Sequence, residues 1–319
     1  MSVDSAFDKL KKFVEFESKL NTLMYLKLVF KPCGESGLMH IAMERESAYI
    51  PVFKVGDKIY IPISSVLGAL RAVAESIAKA SIDSIKDPVE KMLAEAHCEL
   101  EEDTVRHICS PLGEKYVDFV KNLVLKLKSD KNLYRYFLTD EALQEIETIL
   151  KNAKQLTDIP RAVEVILSSL CPICNLLGGS GTESKISILK IEPETMGIYN
   201  TTHTSISRQS LVAAPAHLFV HEHAIIKKLT VILTIKNIEK ESIEQKLLKT
   251  LLNYLTTIGI FIGGLKSIGI GKYILDVNES KGEYIDLNNI KEKKELLEIL
   301  TNIEAKIQKP LKNLINELD

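Results

Sequence analysis

The sequence predicts an α+β fold, and three observations predict it. Apolar residues alternate with polar ones in four separate stretches, recur at helical spacing in two stretches lying between them, and follow a helical period in one long charged segment that interrupts the series. Residues 7–20 read as a short amphipathic helix, and Met24-Tyr-Leu-Lys-Leu-Val-Phe-Lys-Pro32 alternates as a strand. Gly34, Gly37, Pro51 and Gly56-Asp57 then supply turns, and Lys58-Ile-Tyr-Ile-Pro62 is a short extended run. Ser64 and Ser65 are N-cap candidates for a helix with Val66, Leu67, Leu70, Val73 and Ile77 on one side.

From 83 to 168 the composition turns to Lys, Glu, Asp, Leu and Val at helical spacing, as in Val117, Val120, Leu123 and Leu127 and again in Leu143, Ile146 and Leu150, so this segment reads as an inserted helical subdomain. Alternation resumes at Lys185–Ile191 and again from Ile226 to Ile235. Between them, residues 195–225 are polar and rich in Thr, Ser and His, and read as a long projecting hairpin. Leu247, Leu248, Leu251, Leu252 and Leu255 mark a second helix, followed by Gly263-Gly-Leu-Lys-Ser-Ile-Gly-Ile-Gly271 and the strand Lys272–Val277. Leu296, Leu300, Ile303 and Ile307 place a helix near the C-terminus. The order β-α-β-β-α-β is that of a ferredoxin-like palm. Its expected limits are 1–82 with 169–280 for the palm, 83–168 for the insertion and 281–319 for a C-terminal helical extension.

Composition restricts the function. The 319 residues are 45% hydrophobic and 26% charged, an ordinary globular balance. With 41 basic and 43 acidic residues the net charge is −2, so a nucleic-acid site has to be a local patch. The first ten residues carry no basic segment leading into an apolar one, and no window approaches 18 consecutive apolar residues; a cytoplasmic protein without membrane contact is expected. Five cysteines without an export signal argue against a disulfide framework.

Four features carry candidate chemistry. Gly264 and Gly269 have the spacing of a phosphate-binding P-loop, but Ile270 and Gly271 follow where that motif needs Lys and Ser or Thr, and the loop runs from helix to strand. A nucleoside triphosphatase is disfavoured. Four glycines with Lys266 and Ser267 nevertheless offer a backbone open to close approach and a cation for phosphates; the competing reading is a turn that serves helix-to-strand packing. Cys171-Pro-Ile-Cys174, with His107-Ile-Cys109 upstream and Cys98 as an alternative, has the donor types of a structural Zn²⁺ site that would pin the insertion to the core. Plain buried cysteines are the alternative, and a redox pair lacks its βαβ setting. His203, His217, His221 and His223 on the hairpin read as a solvated edge, because no third ligand is evidently spaced; the competing reading of His221-Glu222-His223 is a catalytic or metal cluster. The hairpin's small residues and Phe219 suit insertion between bases or against a partner, or the hairpin folds back on its own domain. Ser64, Ser65 and Arg71 stand where the start of a helix favours phosphate.

Four segments together resemble the RAMP superfamily of CRISPR-associated proteins, particularly the RNA-binding backbone subunits of type III interference complexes. Tyr60-Ile-Pro-Ile-Ser-Ser-Val-Leu-Gly-Ala-Leu-Arg71 is similar to Y-I-P-G-S-S-x-K-G-x-x-R, and Cys171-Pro-Ile-Cys-Asn-Leu-Leu-Gly178 to C-P-x-C-x-x-F-G. Ser207-Arg208 through Phe219 and Glu222 resembles the thumb hairpin, and Gly263–Gly271 resembles G-G-x-K-S-x-G-x-G. The resemblance implies a modified RRM-like palm, a thumb, and stacking of subunits along a guide RNA. It implies guide-phosphate contacts from Ser64, Ser65, Arg71, Lys266, Ser267 and the glycines Gly263, Gly264, Gly269 and Gly271, and a thumb near Arg208 that wedges the guide–target duplex. Guide RNA, target RNA and other RAMP-type subunits are the implied partners.

Two departures bear on activity. Ile63 and Leu67 replace the family's glycine and lysine. Aligning on Pro51-Val52 puts Tyr49 where target-cutting members resemble one another in an Asp, which leaves Glu44 and Glu46 as the carboxylates in that loop. The expectation is a non-catalytic structural subunit, with an endoribonuclease that cuts target RNA or processes guide precursor as the alternative.

Overall fold

The computed structural model describes residues 3–33, 37–41, 49–81, 114–152, 161–179, 182–206, 213–290 and 307–318. Its centre is β1 (Thr22–Pro32), in which only Lys27 is exposed along Thr22–Phe30. A strand apolar on both faces has to be covered on both, and β1 is also paired on both edges. β7 (Ala213–Lys236) runs antiparallel along one edge, with Leu26 opposite Leu233. On the other edge β9 (Lys272–Leu275) pairs with the end of β1 and β10 (Lys281–Asp286) with its beginning. β6 (Ile186–Ile206) lies outside β7 and β8 (Ile260–Phe261) outside β9, so the strands run β6-β7-β1-β9-β8, every pair antiparallel. The short β2 (Leu38–Met39) and β3 (Tyr49–Ile50) brace β7, and β4 (Lys54–Val55) with β5 (Lys58–Ile59) makes a separate small hairpin.

Two long helices cover one face. α2 (Ile63–Ser81) begins just after Pro62, so Ser64 and Ser65 stand inside its first turn and not at the N-cap. The helix α8 (Ile243–Thr257), which packs against α2, is capped as expected for its residue type: the Ser242 side chain accepts from the Gln245 N–H. Around them lie α1 (Val3–Glu17), α3 (Glu114–Leu127), α4 (Lys131–Phe137), α5 (Asp140–Asn152), α6 (Arg161–Leu170) and α7 (Pro172–Leu177). One apolar core runs from Leu10 of α1 through Leu123, Leu167 and Ile173 to the sheet. A small second cluster of Tyr25, Ile232 and Ile307 occupies the other side of β1 and β7. A buried polar corner fixes α1: Lys185 Nζ lies 2.9 Å from Glu17 Oε1 and donates to Asn237 O at 2.8 Å, and Asn237 Nδ2 donates to Glu17 Oε2 at 3.1 Å.

The C-terminal region differs from its expected character. Residues 281–286 are not the start of a helical extension but the strand β10, because Lys281-Gly-Glu-Tyr-Ile-Asp can pair with the otherwise open first half of β1. α9 (Leu311–Glu317) then packs back so closely that a Cβ at Gly282 would lie 2.5 Å from Leu314 Cδ2. The helix expected around Leu296–Ile303 lies outside the described residues.

β6 and β7 form one continuous ribbon that runs out of the sheet, with Ile206 still opposite Ala213 at its far end. Beyond Thr202 and Val220 the described ribbon has no further strand beside it. Among the described residues no helix is long and apolar enough to cross a membrane.

Candidate nucleic-acid interface

The start of α2 and the glycine loop meet in an open cleft of about 340 Å³ whose walls include Ser64, Ser65, Gly263, Gly264, Lys266 and His40. Two motifs some two hundred residues apart in the chain thus share one surface. Ser64 and Lys266 are exposed and Ser65 is half-buried. Hydroxyls in a helix's first turn, facing an ammonium across a cleft, suit an anion such as a phosphodiester.

The glycines act differently from the sequence expectation. A Cβ at Gly263, which has φ +90°, would lie 2.3 Å from His40 O, and one at Gly264 would lie 2.9 Å from His40 Cδ2. At Gly271, φ +82°, it would lie 2.2 Å from Ile262 O. The close approach these three residues permit is therefore made by the chain itself. Gly264 N–H donates to His40 O at 2.8 Å and Gly271 N–H to Leu38 O at 2.9 Å, which fastens the loop to β2. Gly269, φ +84°, has nothing within 4 Å of a Cβ and lies with Lys266 and Ser267 on the exposed crest of the loop. The solvent-facing part of the loop is thus Lys266–Gly269.

Arg71 is turned away from the cleft. Its Nη2 donates to Leu177 O at 3.2 Å and to Gly178 O, and Nη1 lies 3.8 Å from Glu75, leaving the side chain 17% exposed. The guanidinium therefore joins α2 to the carbonyl end of α7, so Arg71 is a positioning residue and not a wall of the cleft. The physical reason is the unpaired carbonyls at a helix C-terminus, which attract a cation.

His221 and His223 of the hairpin do not lie on a solvated edge. His223 is fully buried and His221 and His40 are each 7% exposed. The residue pairs Tyr199–His223, Thr201–His221 and His203–Phe219 share one face of the ribbon, and β2 brings His40 beside them. Ring centroids of His40 lie 4.9 Å from His221 and 5.2 Å from His223, and that of His203 lies 4.9 Å from His221. His40 Nδ1 is 3.2 Å from Glu222 O, so it carries the proton there, and its Nε2 is 3.4 Å from His221 Nδ1. The Thr201 hydroxyl lies 2.8 Å from His203 Nε2 and 2.5 Å from His223 Nε2, while His223 Nδ1 is buried without a partner. Burial pushes the His223 pKa down to about 4, helped by the neighbouring imidazoles, and burial likewise lowers that of His40. His221-x-His223 and Leu38-x-His40 each show period two, but only the strand register, which sequence does not give, puts them on a common face.

On the other face Glu222 ties the ribbon to the loop before α2. Its Oε1 accepts from the Tyr49 hydroxyl, its Oε2 accepts from the Val52 N–H at 3.0 Å, and Lys54 Nζ is 3.9 Å away. Burial pushes this carboxyl up, but Tyr49, Val52 and Lys54 together hold it below the usual carboxylate range. Tyr49 is thus held to a carboxylate supplied by β7.

Cys171 and Cys174 are both fully buried, at the N-terminus and in the first turn of α7. His107, Cys109 and Cys98 lie outside the described residues, as do Glu44, Glu46 and Arg208, and so does the side chain of His217. Among the described residues no group of three or more His, Cys, Asp or Glu converges for a metal ion, the four imidazoles included.

A mixed sheet-and-helix domain with an anion-suited cleft beside a projecting ribbon is the class of protein defined so far. A profile of the RAMP superfamily matches residues 37–274, and the chain belongs to that superfamily. No curated protein matches it significantly. Among solved structures it is similar to a chain of the type III-B Cmr-beta complex in the apo state, at TM-score 0.34 and 14% identity over 79% of this chain and 96% of that one. It is also similar to a chain of Cmr-beta bound to cognate target RNA, at TM-score 0.33 and 12% identity over the same shares.

Proposed function

We propose that the chain is an RNA-binding structural subunit of a CRISPR type III effector complex, coating the guide RNA beside other RAMP-type subunits and helping to position target RNA. The observation that carries this reading is the cleft: Ser64 and Ser65 from one motif and Lys266 from another converge on one surface, in a chain of net charge −2 whose RNA contact must be local. Contacts to phosphate and backbone suit a subunit that has to accept guides of any sequence. On this reading the sheet is a ferredoxin-like palm, and the strand order β6-β7-β1-β9 supports it. The ribbon around 195–225 is the thumb. Zn²⁺ would take Cys171 and Cys174, whose complete burial suits one half of a closed structural site, with His107 and Cys109 as the other half. The endoribonuclease alternative rests on Glu44 and Glu46, which lie outside the described residues.

The test is purification of the native protein from its source with sequencing of any bound RNA. Short RNAs that share a repeat-derived end, eluting with other RAMP-type subunits, are the expected result. An RNA-free monomer, together with no affinity for single-stranded RNA in vitro, would overturn the reading.

A further inference from the structure

We propose that RNA binding in the cleft is proton-linked: seating a phosphate beside Ser64, Ser65 and Lys266 draws one proton from solvent onto the imidazole cluster headed by His40. The inference rests on the RNA-binding reading above and concerns the regulation of the same site.

His40 belongs to two structures at once. It forms part of the cleft wall, and its Nε2 is 3.4 Å from His221 Nδ1. His221 and His223 stack at 6.2 Å with their planes 7° apart, and Thr201 joins His223 to His203, so the four rings form one connected group. Because His40 Nδ1 already gives its proton to Glu222 O, an added proton goes to Nε2 and is shared towards His221. Gly264 keeps the ring edge, and Gly263 the His40 backbone, against the loop that carries Lys266, so charge on the loop is felt by the ring without direct contact.

The charged groups around the cluster set the sign. Lys266 on the loop and Lys54 beyond Glu222 oppose a cation at His40, and the first turn of α2 offers only the Ser64 and Ser65 hydroxyls. The Glu222 carboxylate favours one but is engaged by Tyr49, Val52 and Lys54 on the opposite face. His221 and His223 lie against His40, His203 lies against His221, and Tyr199 is paired with His223 on the same face of the ribbon. In the free protein burial, with the His203 imidazole, lowers the His40 pKa against the opposing hydrogen bond to Glu222 O, which favours the neutral ring. A phosphodiester beside Lys266 offsets the charge of that ammonium, which removes its opposition to a cation at His40 and favours imidazolium relative to the free protein. The ring contacts of the cluster make a second cation unfavourable, so the stoichiometry is one proton for the group. Bound pKa then exceeds free pKa: affinity is greatest at pH below the free value and falls as pH rises through the bound value, by up to about tenfold per pH unit.

The experiment is calorimetric titration of the whole protein with an oligouridylate bearing hydroxyl ends, in buffers of unequal ionisation enthalpy at pH 6 and 7. Neither base nor ends of this probe take up a proton in that range. The expected result is net proton uptake on RNA binding, of at most one proton per RNA, with affinity rising on acidification and the uptake lost in His40→Gln. Binding with no uptake overturns the inference and leaves the RNA-binding reading intact. Uptake that persists in folded His40→Gln also overturns it, since the proton then goes elsewhere. No binding at either pH overturns the RNA-binding reading and this inference with it. If His40→Gln does not fold, nitrogen NMR of histidine-labelled wild type decides: imidazole signals that move towards imidazolium on RNA addition support the inference, and unmoved signals overturn it.

Discussion

Lys266 and Arg71 are both cations in motifs that resemble phosphate binders, yet their surroundings assign them different work. Lys266 is exposed on the cleft, and Lys266→Ala should reduce the slope of log affinity for RNA against log salt by about 0.7, the loss of one single-strand phosphate contact, with the melting temperature unchanged. Arg71 is bound to the Leu177 and Gly178 carbonyls. Arg71→Ala should leave the salt slope alone and remove about 2 kcal/mol of stability, because it strands acceptors at a helix end. Salt titrations of binding with denaturant unfolding of both variants separate the two outcomes; a reduced salt slope in Arg71→Ala would return that residue to the interface. Glycines permit a parallel comparison. Gly263 and Gly269 share a left-handed φ, but only Gly263 would press a Cβ into a backbone oxygen. Gly269→Ala should cost about 1 kcal/mol and Gly263→Ala clearly more, checked by unfolding.

At the scale of elements, the ribbon of β6 and β7 is held to its neighbouring segments by two unlike devices on its two faces. Glu222 binds Tyr49, Val52 and Lys54 on one, and the buried imidazoles lie on the other. Both respond to acid in the same direction. The folded pKa of His223, about 4, lies below its unfolded value near 6.5, so the unfolded state binds more protons between those limits and stability falls as pH is lowered through them. That loss approaches about 1.4 kcal/mol per pH unit for one proton. Glu222 is also depressed, so its contribution is present above the unfolded carboxylate value and disappears below it. Unfolding measured from pH 7 to 4 should therefore show a steep loss that begins near pH 6.5, and His223→Gln should flatten the upper part of that profile. A profile identical in the variant would show that the buried imidazole is not the group responsible.

For the whole molecule, the question is what holds the helical layer to the sheet. Cys171 and Cys174 are buried in the same core that includes Leu167, Ile173 and Leu123. If these thiols ligate Zn²⁺, elemental analysis of the native protein should give about one zinc per chain, and Cys171→Ser should lower metal content and melting temperature together. A native protein without zinc would leave the cysteines as plain core residues.

The periodicity of the sequence determined the elements: β1, α2, α8 and β9 each occupy the stretch whose apolar spacing announced it, since spacing depends only on which face must leave water, while β7 runs back beyond the announced Ile226–Ile235 to Ala213. Both motifs of the cleft were also legible, because Ser64, Ser65 and Lys266 are local in sequence. Tertiary structure decided the rest. The register of β7 against β6 and β2 gathered His40, His203, His221 and His223, which no local spacing connects. The carbonyls ending α7 drew Arg71 inward, and the open half of β1 made 281–286 a strand. In each case the deciding partner lies far along the chain. Sequence patterns state what a residue needs, while only the folded chain determines which distant group meets that need.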